Sequence, residues 1–328
     1  MELVINDFGT FIGKKENLFE IKKKDSKEEY SADKVDRIKI ISSASISSKA
    51  IELAVENNID IVLTNYFGKP YARIYPCKLG GTTLTRRKQL EACSNKKSFV
   101  ISKANVLGKI QNQLNLLKGL SKTRENLFAK EINLIKRLLQ KIKPKEFNNI
   151  EGAREELLGF EGQAASIYFS CLAKIIPFEK REHEAKDIFN ISLNYGYGIL
   201  YSEIERACIV AGLDPYLGFM HTDRYNKPSL VLDLIEPFRQ FIVDRAIINL
   251  FVQKQLNEND LEDFEGNKIL KKESREKIVS AILERLNIEL RYNSKKLQLK
   301  TIIQEKMREL VRFLLDEQET YESFAFRS

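Results

Sequence analysis

The chain has 328 residues and carries 54 lysines and arginines against 46 aspartates and glutamates, a formal net charge of +8. Hydrophobic residues make up 43% and charged residues 30%, a balance that excludes a disordered or fibrous chain and allows one large domain or two ordinary ones. The basic excess favours a polyanionic partner, and four scattered cysteines without a C-x-x-C pair speak against a zinc ribbon or a disulfide scaffold and fit a reducing cytoplasm. The opening run MELVINDFGTFIGKK sets acids among its first residues, and no apolar stretch reaches bilayer length, so neither a signal peptide nor a membrane contact is expected.

Short strands are expected first, at 3–5, 10–13, 17–21, 35–41, 59–64 and 71–75, where brief apolar or alternating runs are divided by Asn6-Asp7, Gly9, Gly13 and Gly68-Lys69-Pro70. One helix, at 47–57, interrupts them. From about residue 85 the apolar spacing becomes helical, over 85–117, 122–142, 153–176, 190–211, 230–256, 274–291 and 298–316. Pro144, Pro177 and Gly212 supply stops. Residues 263–270 read as a hairpin turning at Gly266-Asn267. The tail from 317 shows no pattern. The fold expected is therefore α+β and multi-domain: a small β-rich domain at 1–76, a linker at 77–84, and a larger all-helical catalytic domain at 85–328.

Four residues stand on chemically odd ground. Glu161 lies among Gly159, Gly162, Ala164 and Ala165, small neighbours that let a helix pack closely and leave room beside a carboxylate. It reads either as a metal ligand near the start of a helix or as an N-terminal glutamate favoured by the helix dipole. His221, one of only two histidines, sits in a loop bearing Gly, Asp, Asn and Pro. An imidazole there is a donor to Mn²⁺ or Zn²⁺, or a loop residue bonded to Asp223 or the backbone. Asp233 and Glu236 precede Pro237, where a helix is expected to open. They read equally as a D-x-x-E capping box, or as a metal ligand at Glu236 with Asp233 orienting a ligand. The second histidine, His183, lies in a charged, solvated run and is left out of the site. The basic runs at Arg86-Arg87-Lys88, Lys136-Arg137 and Lys295-Lys296 read as wet helix faces as readily as DNA contacts. Tyr195, Tyr197 and Tyr201 suit a groove or a helical core alike.

The segments LLGFEGQAASIYF, LNYGYGIL and AGLDPYLGFMHTDRYNKPSLVLDLIEPFR, with NYFGKPYARIYP and GGTTLTRRKQ earlier, resemble the CRISPR-associated integrase that inserts new spacers. The resemblance implies a β-rich N-terminal domain, an all-helical catalytic domain, and a cytoplasmic, metal-dependent DNA endonuclease and integrase using Mn²⁺ or Mg²⁺. It implies Glu161, His221 and Glu236 as metal ligands, with Asp233 beside them in the catalytic set. Its implied partners are double-stranded DNA, as spacer precursor and CRISPR repeat, a second copy of the chain in a homodimer, and a small ferredoxin-like protein. Many members carry aspartate where Glu236 stands. A nuclease of branched DNA that does not integrate, and a basic scaffold without catalysis, are the rival readings.

Overall fold

The computed structural model describes every residue except 58, 66–69, 75–81, 183, 185, 222–224, 226, 265 and 327–328. The chain divides into two compact units, Met1–Gly80 and Gly81–Ser328. Most of the expected linker, residues 77–81, lies outside the described residues, and its last part, from Thr82, already belongs to a helix.

The first unit contains β1 (Glu2–Ile5), β2 (Phe11–Lys15), β3 (Leu18–Lys22), β4 (Lys27–Ser31), β5 (Arg37–Ile40), β6 (Ser45–Ile46), α1 (Ser48–Glu56), β7 (Asp60–Thr64) and β8 (Pro70–Ile74). One sheet runs β1-β5-β7-β8 and a second β4-β3-β2-β6. Alternating apolar residues such as Leu3, Ile5, Ile12 and Ile38 close the core between them. Strand β5 is buried at every position, so its Arg37 needs a counter-charge and finds Asp60 at 3.1 Å. Strand β4 was not expected, because Lys27-Glu28-Glu29 offers no apolar alternation. Its charges are answered across the sheet instead, Lys27 by Glu20 at 2.5 Å and Glu29 by Lys15 at 3.1 Å. Ser47 caps α1 by accepting from the Ala50 amide.

The second unit holds α2 (Thr82–Cys93), α3 (Lys96–Lys122), α4 (Ala129–Ile142), α5 (Arg154–Leu172), α6 (Ile188–Val210), α7 (Ser229–Arg239), a π-helical turn at Gln240–Asp244, α8 (Arg245–Val252), α9 (Lys272–Asn287) and α10 (Leu299–Leu314). It is not all-helical. The expected hairpin is present as β9 (Leu261–Phe264) and β10 (Asn267–Leu270). A second one, β11 (Glu289–Tyr292) with β12 (Lys295–Gln298), takes over where a longer helix was expected. Asn293 and Ser294, at φ 45° and 64°, make its two-residue turn. The helix expected over 85–117 is broken at Ser94-Asn95, where the Asn95 side chain caps α3 by accepting from Lys97 N at 2.8 Å.

Helix α6 ends in a Schellman arrangement: Gly212, at φ 83°, donates to Ile209 O while Leu213 donates to Cys208 O. That turn launches the loop carrying His221. Helix α7 opens at Ser229, not at Pro237, so Asp233 and Glu236 lie inside it and the capping-box reading falls. Glu161 likewise sits in the middle of α5, far from its first turn, which removes the helix-dipole reading and the expected position near a helix start. Helices α5 and α7 both pack on α3.

The patternless tail is docked. Tyr321 and Phe324 are buried, and Phe324 stacks on Phe238 of α7 at 4.7 Å. Asn112 of α3 donates to both Phe324 O and Pro237 O, and accepts from Phe326 N. A side chain at Gly108 would meet Phe324 O at 3.0 Å, so the glycine lets the tail lie against α3.

Gly196 plays the same part inside the core. A Cβ there would stand 2.6 Å from Cγ1 of Val243, a stiff side chain in the π-helical turn. Gly196→Ala should therefore destabilise the protein by about 1–2 kcal/mol, overpacking outweighing the gain in helix propensity. In denaturant melts, Val243→Ala added to it should cost less than the two single changes together.

Candidate active site

The site grows from three buried carboxylates on or next to one helix: Asp233, Glu236 and Asp244. A buried carboxylate stays ionised only if donors or cations surround it. Asp233 is answered by the loop before α7. Its Oδ2 accepts from the amides of Phe219 and Met220, and its Oδ1 from the amide and Nδ1 of His221, at 2.6 to 3.0 Å. Three successive amides thus wrap one carboxylate, which fixes the loop and the ring it carries. From the other side Arg154 of α5 donates to the carbonyls of Phe219 and Met220. Gln89 of α2 donates to Asp214 O and Leu217 O and accepts from Asp214 N. Gly218 is required here, since a Cβ would meet the Ser229 backbone at 2.8 Å.

The bond to Asp233 also decides the state of the histidine. A carboxylate can only accept, so the neutral ring carries its proton on Nδ1 and keeps its lone pair on Nε2. The ring is half-buried, with the side chain 30% exposed.

Glu236 is answered by cations. Arg239, one turn on, lies 2.8 Å from Oε1, and Lys109 of α3 lies 2.6 Å from Oε2. Oε2 is buried and has no hydrogen-bond partner beside that ion pair. The same Lys109 ammonium donates to Glu161 Oε1 at 2.5 Å. One nitrogen therefore joins Glu161 of α5 to Glu236 of α7. The structure brings Glu161 and Glu236 together and ties His221 to Asp233, three residues before Glu236 on α7. Among the described residues no three His, Cys, Asp or Glu side chains are arranged to hold a metal ion, the two glutamates being drawn onto the ammonium.

Asp244 completes the buried set. Tyr168 of α5 and Tyr197 of α6 both donate to it, at 2.8 and 2.6 Å. Burial pushes its carboxyl up, against the pull of the two hydroxyls. The Tyr197 ring lies under the Arg239 guanidinium at 4.6 Å, so this network supports the cation that pairs with Glu236.

Comparison with known proteins now bears on this geometry. The sequence profile of the family CRISPR associated protein Cas1 matches residues 3–284. CRISPR-associated endonuclease Cas1 1 of Archaeoglobus fulgidus is 34% identical over 99% of this chain and 99% of its own length. CRISPR-associated protein Cas1 3 of Methanobrevibacter ruminantium is 32% identical over 80% of this chain and 81% of its own. The chain belongs to the Cas1 family. Among solved structures, a casposase bound to integration product superposes with a TM-score of 0.84 at 27% identity, covering 98% of this chain and 92% of that one. A Cas1 protein from Thermotoga maritima shares the fold, with a TM-score of 0.80 over the whole of both chains at 21% identity. The fold expected from the sequence, β-rich first and helical after, is that of Cas1 structures.

In this Cas1 family member the sequence reading missed Lys109, Arg239, Asp244 and Tyr168, while Tyr197, read as suiting a groove or a core, proves to be a buried partner of Asp244. A signal existed for Lys109. It follows Asn105 and precedes Asn112 and Gln113, buried polar residues in a helix with a long apolar run. For Glu161 the expected close packing of small neighbours holds at the buried Ala164 but not at the two glycines. Nothing stands within 4 Å of a Cβ at Gly159 or Gly162, so the surface beside the carboxylate is open. His183, set aside earlier, lies outside the described residues.

Burial would push the Glu236 carboxyl up, but Arg239 and Lys109 outweigh it and hold the group down at about 2, against an ordinary 4.5. A carboxyl whose folded value is depressed stabilises the fold fully above its unfolded value, and that contribution fades as pH falls toward the folded one. Acid unfolding between pH 4.5 and 2 should therefore be steeper in the wild type than in Glu236→Gln, as read by denaturant melts at a series of pH values.

Proposed function

We propose that this chain is a metal-dependent DNA endonuclease and integrase of CRISPR adaptation, using Mn²⁺ or Mg²⁺ to join spacer 3′-hydroxyls to the array by phosphoryl transfer. The observation that carries the reading is the pair of glutamates converging on one cation, with the His221 imidazole committed through Nδ1 to Asp233, three residues before Glu236 on α7. A hard oxygen pair with one borderline nitrogen suits Mn²⁺ or Mg²⁺, with water and phosphate oxygens completing the shell. Glu236 Oε2, buried against the Lys109 ammonium at 2.6 Å, already serves a cation, which supports a donor set suited to one.

Glu161, Glu236 and His221 Nε2 would hold the ion. When bound, it supplies Lewis-acid polarisation of the scissile phosphate and neutralises charge on the leaving oxygen. Asp233 keeps the Nδ1 proton in place, so the ring offers its lone pair in a fixed direction. Arg239 keeps Glu236 ionised at working pH. The open surface at Gly159 and Gly162 leaves room beside Glu161 for a DNA backbone. Exchange of one phosphodiester for another needs no nucleotide cofactor.

Double-stranded DNA, a homodimeric partner and a small ferredoxin-like protein complete the proposed assembly. The relative's name, endonuclease, and the casposase neighbour's bound integration product support the reaction class. Structures titled as Cas1 together with Cas2 support a protein partner.

Glu161→Gln, His221→Ala and Glu236→Gln should each lower divalent-dependent DNA joining by about a hundredfold or more while the fold survives. The assay presents a duplex with free 3′-hydroxyls and a supercoiled target. Covalent joining marks integration; cutting alone would sink the integrase half of the reading. A wild-type rate in any one variant would remove that residue from the ligand set.

Arg86, Arg87, Lys136 and Arg137 are exposed on α2 and α4. Phosphate contacts by such side chains predict an affinity that falls steeply with salt and depends little on sequence. Fluorescence anisotropy with duplex DNA should show a tenfold or larger loss between about 50 and 200 mM salt. A flat salt profile would count against it.

A further inference from the structure

Lys109 stands where a divalent ion would have to stand. Its side chain is only 12% exposed, and its ammonium touches both glutamates, at 2.5 and 2.6 Å. With Asp233 answered by the loop amides, the remaining charges balance: Glu161 and Glu236 against Lys109 and Arg239. A divalent ion entering that pocket would make it strongly positive. It would also share carboxylate oxygens with an ammonium, bringing two cations within a few ångströms in a poorly solvated place. One of them has to leave. Arg239 is held under the Tyr197 ring, whereas Lys109 hangs from α3 on a flexible stem.

We propose that Lys109 is the resident cation of this site and competes with the divalent ion for Glu161 and Glu236. Metal entry expels its ammonium, which then pairs with a phosphate of the bound DNA. This inference rests on the metal-dependent reading above. It assigns Lys109 two roles in turn: a clasp that holds the two carboxylates together without metal, and a phosphate contact once metal and DNA are present. Metal occupancy is thereby coupled to DNA, because only the phosphate offers the displaced ammonium a new partner. No bond is made or broken; the step is an exchange of counter-ions.

The direction of the effect separates this role from a merely structural one. A lysine that only props the carboxylates in place would, on removal, loosen the site and weaken metal binding. A competitor, on removal, strengthens it. The test is Mn²⁺ titration followed by electron paramagnetic resonance, on the wild type, Lys109→Met and Lys109→Gln. Signal from adventitious ions is subtracted with a Glu161→Gln/Glu236→Gln double variant. Circular dichroism checks that each protein is folded, and the glutamine variant keeps a hydrogen-bond donor if methionine proves too disruptive.

Without DNA, both variants should bind Mn²⁺ about tenfold or more tightly than the wild type. Adding duplex DNA should narrow that gap, since the wild-type lysine then has a phosphate to meet. Equal or weaker binding in the folded variants would overturn the inference and leave the proposed function standing if the wild type still binds and uses Mn²⁺. A gap that DNA does not narrow would overturn the phosphate step. Absence of any Mn²⁺ site above the double-variant background in all three proteins would overturn the functional reading and this inference with it.

Discussion

Asp233 is almost wholly buried in the middle of α7, and the structure around it is arranged so that its charge is never left alone. An isolated ionised carboxylate in a protein interior is too costly to persist, so the chain must bring donors to it. It does so by folding the loop after α6 back over the helix and presenting three consecutive amides and an imidazole. The same requirement, applied to Glu236 and Asp244, draws in Lys109 from α3, Arg239 from α7, and Tyr168 and Tyr197 from α5 and α6. Four helices and a loop are thus tied together by the need to satisfy three acids. A hydrophobic core alone would pack these helices, but it would not fix which residues face one another to within a hydrogen bond.

The backbone serves that arrangement at a few special places. The Schellman turn at Gly212 reverses the chain without leaving carbonyls unbonded. Gly218 lets the loop touch the start of α7, which is what allows its amides to reach Asp233. Pro237 is tolerated inside α7 although it donates no backbone bond, and a π-helical turn follows at once. The carbonyl of Pro237 itself is taken by Asn112, the residue that also anchors the docked tail. Tail, α3 and α7 therefore share one polar contact a short distance along α3 from Lys109.

Much of this was legible in the sequence, and the gaps have physical reasons. Strands such as β1 and β7 announce themselves by short apolar runs. Strand β4 does not, because its stabilisation comes from ion pairs across the sheet, which look like a solvated loop when read one residue at a time. Glu161, His221, Asp233 and Glu236 stood out as ionisable residues among small or apolar neighbours and through the family resemblance. Lys109 did not. A lysine in a long helix reads as solvated; the polar residues near it, Asn105, Asn112 and Gln113, are a weak signal, and its approach to two glutamates distant in the sequence is what reveals its place. Pro237 misled for the complementary reason. Proline prefers the first helical turn, and tertiary packing of α7 on α3 and α6 overrode that local preference.

The length of Glu236 takes on a meaning in this setting. The resemblance leads one to expect aspartate there in many relatives. In the structure the longer side chain spans two cations on different helices, Arg239 one turn along α7 and Lys109 across on α3. Each oxygen has its own partner. An aspartate at the same Cα would hold its carboxylate one methylene nearer α7, with less reach toward Lys109 across on α3. The glutamate is therefore what makes the Lys109 ammonium a bridge between α5 and α7 and not a simple ion pair. On the proposed exchange of counter-ions, a site built with the shorter acid would hold its resident lysine less firmly and oppose an incoming cation less.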